Sequence, residues 1–239
     1  MRAMILAAGL GTRLRPLTNE IPKPMVPIAG RPVMEHIVRL LARHGFSELI
    51  ANLHWFPETI REHFGDGSKW GVELSYREET ELLGTAGGVR NVADFLTAGG
   101  AGSFLVISGD ALTDLDLTAM REFHDSHDGI ATLALKRVPD TREFGVTILG
   151  ADGRITGFQE KPDPAEALSD LANCGIYMFR DEIFDWFPPE PFVDWATDVF
   201  PKLLEGDVPF YGHEIDAYWN DIGSHEAYQQ GQIDAQTWT

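Results

Sequence analysis

The chain has 239 residues, 44% of them hydrophobic and 23% charged, enough apolar material to bury a core in one large domain or two small ones. Its 19 Lys and Arg against 37 Asp and Glu give a formal charge of −18, which argues against nucleic acid or a membrane surface as a partner held by general attraction. The surplus is uneven: residues 1–45 carry seven basic residues and only Glu20 and Glu35, so an anionic ligand is to be sought at that end. The single cysteine, Cys174, cannot form an internal disulfide, and no Cys/His cluster or CxxC pair is present to hold zinc; a reducing cytoplasm fits this usage. The apolar stretch at 3–10 is too short for a signal peptide, and nothing approaches the ~18 consecutive apolar residues of a membrane span.

In chain order, Val, Ile and Leu-rich strands are expected at RAMILAA (2–8), ELIANL (48–53), SFLVISG (103–109) and IATLALKRV (130–138). Helical patterns alternate with them at 31–44, where Val33, Ile37, Leu40, Leu41 and His44 share a face that stops at Gly45, and at 85–96 and 117–127. That alternation predicts an α/β fold with an open, mainly parallel sheet flanked by helices, Rossmann-like in its layout. After residue 140 the pattern becomes antiparallel. Two alternating strands flank Ala151-Asp152-Gly153, a hairpin signal, and are followed by NCGIYMF (173–179), a helix near 194–205, strands near 208–213 and 217–221, and a last helix at SHEAYQQGQIDAQ. With no internal repeat and no long linker, one domain over 1–239 is expected, 1–140 and 141–239 being its two parts.

The loop after the first strand reads Gly9-Leu10-Gly11-Thr12-Arg13-Leu14-Arg15-Pro16. Glycines there let backbone N–H groups approach phosphates. A dinucleotide fingerprint needs glycine where Leu14 stands and an immediate helix, and a Walker A loop needs Gly-Lys-Ser/Thr; both are absent. What remains is a glycine loop with two arginines, followed by Lys23 on the stiff segment Pro22-Lys23-Pro24.

The runs L-A-A-G-x-G-T-R-L-R-P-L-T and P-K-P-M-V-P-I-A-G-R-P resemble the signature of the sugar nucleotidylyltransferases. Leu83-Gly84-Thr85-Ala86-Gly87-Gly88, Ser108-Gly109-Asp110, Phe144-Gly145-Val146, Glu160-Lys161-Pro162, Asn173-Cys174-Gly175 and Tyr218-Trp219-Asn220-Asp221 follow in the family's order. The resemblance implies condensation of a nucleoside triphosphate with a sugar 1-phosphate, releasing pyrophosphate. It places Arg13 and Lys23 on the departing phosphates. Leu6, Ala8, Gly9, Gly11, Thr12, Gly84 and Thr85, with Asp110, would line the nucleotide, and carbonyl oxygens of the 81–88 loop, or Glu79 or Glu81, could accept from a guanine edge. Asp110 and Asp221 would hold Mg²⁺, a hard ion suited to carboxylate and phosphate oxygens. Lys161 would meet the phosphate of the sugar 1-phosphate, and Glu160, Asn173 and the backbone of Gly145 the sugar. Asp114 is assigned to a helix start near Leu115.

The wording G-T-A-G resembles guanylyl-transferring members, which favours GTP with mannose 1-phosphate. Uridylyl or thymidylyl transfer to glucose 1-phosphate or N-acetylmuramate 1-phosphate is the alternative, and a regulatory paralogue without turnover is another. The eight histidines lack metal-ligand spacing, and Trp55-Phe56 and the Trp186 to Trp195 aromatics suit core or subunit contact, leaving a homodimer open. The resemblance leaves equally open whether a C-terminal β-helix, common in relatives, is naturally missing here.

Overall fold

The structure, a computed structural model, describes residues 1–100 and 102–237. Along the first half of the chain run β1 (Arg2–Leu6), β2 (Pro27–Ile28), β3 (Arg31–Pro32), α1 (Val33–Arg43), β4 (Glu48–Leu53), α2 (Pro57–Phe64), β5 (Glu73–Glu78), α3 (Gly84–Arg90), α4 (Ala93–Leu96), β6 (Ser103–Ser108) and β7 (Ala111–Thr113). They are followed by α5 (Leu117–Asp125), β8 (Ala131–Arg137), β9 (Gly145–Leu149), β10 (Ile155–Glu160), β11 (Leu171–Arg180), α6 (Phe200–Glu205), β12 (Tyr211–Glu214), β13 (Trp219–Asp221) and α7 (His225–Asp234). The fold is mixed α/β, with mainly parallel strands flanked by helices and small antiparallel ribbons, as the alternation predicts. No helix among the described residues is long and apolar enough to cross a membrane.

Several elements differ from their sequence pattern for local reasons. The helix expected at 31–44 loses its first residues because Arg31 and Pro32 pair with Ile28 and Pro27. Its apolar face is as expected, with Val33, Ile37, Leu40 and Leu41 buried. The helix expected at 85–96 is two, broken at Val92, whose φ of −120° leaves the helical region. The one near 194–205 begins as a wide turn at Trp195–Val199 and becomes regular only with α6, where Pro201 sits in the first turn. Helix α2 and strands β5 and β7 were not visible as periodic patterns. Strand β5 exists because it pairs parallel with β4, and β7 because it pairs with β13.

Chain contacts gather into two compact units. The first comprises Met1–Leu82, Ile107–Leu115 and Ala217–Thr239, the second Leu83–Val106 and Asp116–Asp216. In the first unit β1, β4 and β5 are parallel, in a register that sets Leu6 beside Asn52 and Leu53 beside Glu78. Leu14, Val26, Ile28, Val33, Leu112 and Ile222 form one buried cluster there. They belong to the glycine loop, the segment around Lys23, α1 and the β7–β13 ribbon, so one apolar contact set positions the segments that carry Arg13, Lys23, Asp110 and Asp221.

In the second unit β11 is antiparallel to β8 and β9, β9 and β10 form the expected hairpin, and β12 runs parallel to β8. The hairpin turn is closed by Gly153 at φ +81°, which a side chain would oppose. Phe179, Trp195 and Phe200 stack in succession, with centroids 4.5 and 5.6 Å apart. The Trp195 aromatics are therefore core. Helix α5 is capped by Asp116, whose carboxylate accepts from the N–H groups of Thr118 and Ala119. Asp114 is not the cap: its Oδ1 accepts from the Tyr218 N–H at 2.8 Å.

Candidate active site

After β1 the chain leaves the sheet through Gly9 and Gly11. Gly11 has φ +62°, and a Cβ there would lie 3.0 Å from both Lys23 Cβ and Thr18 Cγ2, so the loop packs against the Lys23 segment only because this residue has no side chain. Thr18, fully buried, donates 2.7 Å to the Gly11 carbonyl. Thr12 and Arg13 lie on the next short turn, Thr12–Leu14, anchored by buried Leu14. Lys23 begins the turn Lys23–Met25, held by buried Pro24.

Lys23 extends to two carboxylates. Its ammonium pairs closely with Asp110 and lies 3.5 Å from Asp221 Oδ1. Two pairings bring those aspartates together. Gly109 donates 2.9 Å to the Leu6 carbonyl, drawing the residue before Asp110 onto the end of β1. The β7–β13 ribbon then sets Asp221 opposite Ala111, while the Ile222 N–H donates to the Asp110 carbonyl at 3.1 Å. Arg13 joins the group: a Cβ on Gly223 would stand 3.1 Å from the Arg13 guanidinium and 2.9 Å from Asp221. The glycine of Asp221-Ile222-Gly223 thus leaves room for the ends of both side chains, a role not visible from sequence.

The electrostatics follow from burial. Burial works against the Lys23 ammonium, yet the charges of Asp110 and Asp221 outweigh it and raise its pKa. Burial and then the neighbouring Asp110 charge push Asp221 up to about 6, against the opposing effects of Lys23 and Arg13. The buried Asp221 carboxylate is therefore incompletely compensated even with two cations beside it. Hard oxygen donors in that condition fit a divalent cation such as Mg²⁺. No cluster of three His, Cys, Asp or Glu able to hold a metal occurs among the described residues, so Asp110 and Asp221 are the carboxylates this site would offer such an ion.

Leu6 and Ala8 flank Ala7, whose N–H donates 2.8 Å to Asn52 Oδ1. Asn52 in turn donates 2.7 Å to Glu79 Oε1, and His54 Nδ1 lies 2.8 Å from the Glu79 carbonyl. Glu79, one of the alternative acceptors for a base, is buried and engaged by Asn52.

In the second unit Gly145, Glu160 and Asn173 line one cavity of about 320 Å³, walled on its apolar side by Phe158, Pro201 and Leu204. Register explains two of them, since Gly145 stands directly opposite Glu160 in the β9–β10 hairpin. Lys161 follows at φ +45°, its N–H donating to the Phe144 carbonyl at 3.1 Å and its ammonium 3.3 Å from Glu160. Gly84 and Thr85 have a structural engagement of their own. A Cβ on Gly84 would collide with the Val193 carbonyl, and the Thr85 N–H and hydroxyl both donate to Asp194, at 2.9 and 2.7 Å.

A family model described as nucleotidyl transferase matches residues 2–237. The chain is 42% identical to a UTP–glucose-1-phosphate uridylyltransferase of Synechocystis, over 96% of this chain and 62% of the relative. It is 38% identical to a mannose-1-phosphate guanylyltransferase of Mycobacterium tuberculosis, over 97% of this chain and 64% of the relative. It thus spans less than two thirds of the length of these relatives. Among solved structures, a putative glucose-1-phosphate thymidylyltransferase from Bacillus anthracis superposes with a TM-score of 0.89 at 25% identity, covering 99% of this chain and 96% of that one. The family match takes in both units, and with it the conclusion that the chain belongs to the nucleotidyl transferase family.

Proposed function

We propose that the chain transfers a nucleotidyl group from a nucleoside triphosphate to a sugar 1-phosphate. The observation that carries this reading is Lys23 between Asp110 and Asp221, with Arg13 alongside and the glycine loop packed against it. Fixed cations beside carboxylates able to take a divalent ion are what a triphosphate requires.

An oxygen of the sugar 1-phosphate is already anionic near neutral pH, so no general base is needed. It attacks the α-phosphorus, forming a new P–O bond. The bond from that phosphorus to the α–β bridging oxygen breaks, and its electrons leave with pyrophosphate. Arg13 and Lys23 neutralise the charge that grows on the departing phosphates, while Gly9, Gly11 and Thr12 hold the triphosphate through the loop. Asp110 and Asp221 would hold Mg²⁺, which supplies charge neutralisation at the phosphates when bound. In the second unit, Lys161 binds the sugar phosphate, and Glu160, Asn173 and the Gly145 backbone orient the sugar.

GTP and mannose 1-phosphate are the substrates favoured by the G-T-A-G loop and by the guanylyltransferase relative. UTP and glucose 1-phosphate form a second reading, supported by the more similar uridylyltransferase relative. A pyrophosphate-release assay over a grid of nucleotides and sugar 1-phosphates decides: the highest kcat/KM with GTP and mannose 1-phosphate is expected. A higher value with UTP transfers the assignment to the second reading, and no release with any pair rejects nucleotidyl transfer.

A further inference from the structure

In the proposed reaction Lys161 meets the phosphate of the sugar 1-phosphate, yet its side chain is 54% exposed and has little packing to aim it. Its pair with the Glu160 carboxylate, at 3.3 Å, is of the exposed kind that holds a side chain weakly. The direction in which the ammonium leaves the chain is therefore set by the backbone at residue 161. That backbone is strained. Lys161 has φ +45°, in the left-handed region that a side chain opposes, and it precedes Pro162, whose ring favours an extended residue before it. A conformation with both local preferences against it persists only where its surroundings over-determine it, and such residues gather at functional sites.

The constraint comes from one short turn, 141–144. The Lys161 N–H donates to the Phe144 carbonyl at 3.1 Å, and the Phe144 N–H donates to the Thr141 carbonyl at 3.1 Å. The hydroxyl of buried Thr141 donates to the Pro162 carbonyl at 2.7 Å. Lys161 is thus gripped on both sides, at its own N–H and at the carbonyl of the next residue. Between those anchors the peptide bond is planar and the ring fixes φ of Pro162, so only the Lys161 torsions and ψ of Pro162 can turn. The chain beyond is fastened as well: the Gln159 side chain accepts from the Leu168 N–H at 2.6 Å and donates to the Glu166 carbonyl at 3.3 Å. Gly145, the residue after Phe144, stands opposite Glu160, and both line the cavity of about 320 Å³. One turn therefore places Gly145 and Lys161 together.

We infer that Thr141 is a positioning residue, whose hydroxyl holds Lys161 in the left-handed conformation that presents its ammonium to the sugar phosphate. Without that hydrogen bond, rotation of residue 161 to negative φ releases the strain and turns the ammonium away. The inference rests on the role given to Lys161 in nucleotidyl transfer and adds a group that acts through the backbone. Since in-line attack tolerates little displacement of a positioning group, the effect falls on the sugar phosphate and not on the nucleotide, whose phosphates meet Arg13 and Lys23.

Steady-state kinetics of Thr141→Val, which lacks the hydroxyl, and Thr141→Ser, which keeps it, test the role with the substrate pair that the wild type uses best. Thr141→Val is expected to lower kcat/KM for the sugar 1-phosphate about tenfold with the nucleotide KM within about twofold, and Thr141→Ser to restore the wild-type value. Hydrogen exchange at the Lys161 amide, which needs no turnover, should be faster in Thr141→Val and unchanged in Thr141→Ser. Thr141→Ala replaces Thr141→Val if the latter does not fold. Wild-type kcat/KM or wild-type exchange in the folded hydroxyl-free variant overturns the role. An equal loss in Thr141→Ser overturns it too, as does a nucleotide KM that rises in step with that of the sugar phosphate, the mark of general loosening. No pyrophosphate release by the wild type with any pair rejects nucleotidyl transfer and this role with it, whereas release that Thr141→Val leaves unimpaired rejects this role alone.

Discussion

The Asn52 amide donates 2.7 Å to the Glu79 carboxylate, both side chains being buried at the carboxyl ends of β4 and β5. Through its oxygen Asn52 also takes the Ala7 N–H, so one side chain ties together three adjacent strand ends, including the one that opens into the glycine loop. Replacing Asn52 with alanine strands the buried Ala7 N–H and takes one hydrogen bond from the Glu79 carboxylate. The expected loss is about 1–3 kcal/mol in denaturant unfolding, with KM for the nucleotide rising more than kcat falls. An unchanged nucleotide KM in a folded Asn52→Ala chain would show that the tie does not position the loop.

Lys23 is the cation on which the two aspartates converge. Lys23→Ala is expected to lower kcat by about 10²–10³-fold, the range for losing one preorganised group that meets transition-state charge. Asp110→Asn should act in the same direction. Circular dichroism spectra like that of the wild type are expected for both, and wild-type turnover in either folded variant rejects the role given to it.

Gly109→Ala tests the approach of the Asp110 segment to β1. The added Cβ would stand 2.7 Å from the Leu6 carbonyl oxygen, a backbone contact that cannot be relieved by a rotamer change. A destabilisation of about 1–3 kcal/mol is expected, with turnover reduced because Asp110 must move. A neutral change in both melting temperature and rate would mean the strand ends separate freely.

Acid should weaken the second unit through His124. Fully buried and hydrogen-bonded to Thr132 at 2.8 Å, it is pushed down to about 3 by burial and then by the Arg180 charge. The unfolded chain takes up a proton near pH 6.5 while the folded one refuses it until about pH 3. Stability is therefore complete above pH 6.5 and falls as pH drops through that window, by up to ~1.4 kcal/mol per pH unit for this group. His127 and His213, also lowered by burial, act with the same sign. Thermal melts from pH 7.5 to 4.5 should show the decline, and His124→Gln should flatten it.

Much of this protein is local in origin. The strands at 2–6, 48–53 and 103–108, the apolar stripe of α1 and the Asp-Gly hairpin follow from patterns a few residues long. So do the glycine loop and a lysine between prolines, because backbone freedom and stiffness are properties of single residues and their neighbours. Pattern failed where an element exists only through its partner. Strand β7 is three residues long and has no period of its own, and Asp114 reads as a helix cap until the pairing with β13 delivers the Tyr218 N–H to it.

By itself, then, the sequence determined the alternating α/β order, the phosphate-type loop and the basic bias of the first 45 residues. Only the tertiary structure decided which of those charges act together. Lys23 and Asp221 are separated by 198 positions, and their meeting depends on strand pairing and on one buried apolar cluster, neither of which has a local signature. The same packing divides the basic residues, sending Arg13 and Lys23 to the aspartates and Arg31, Arg39 and Arg43 to a cavity beside α1. Charge is additive along a chain, but its effect depends on distance and dielectric, and folding sets both.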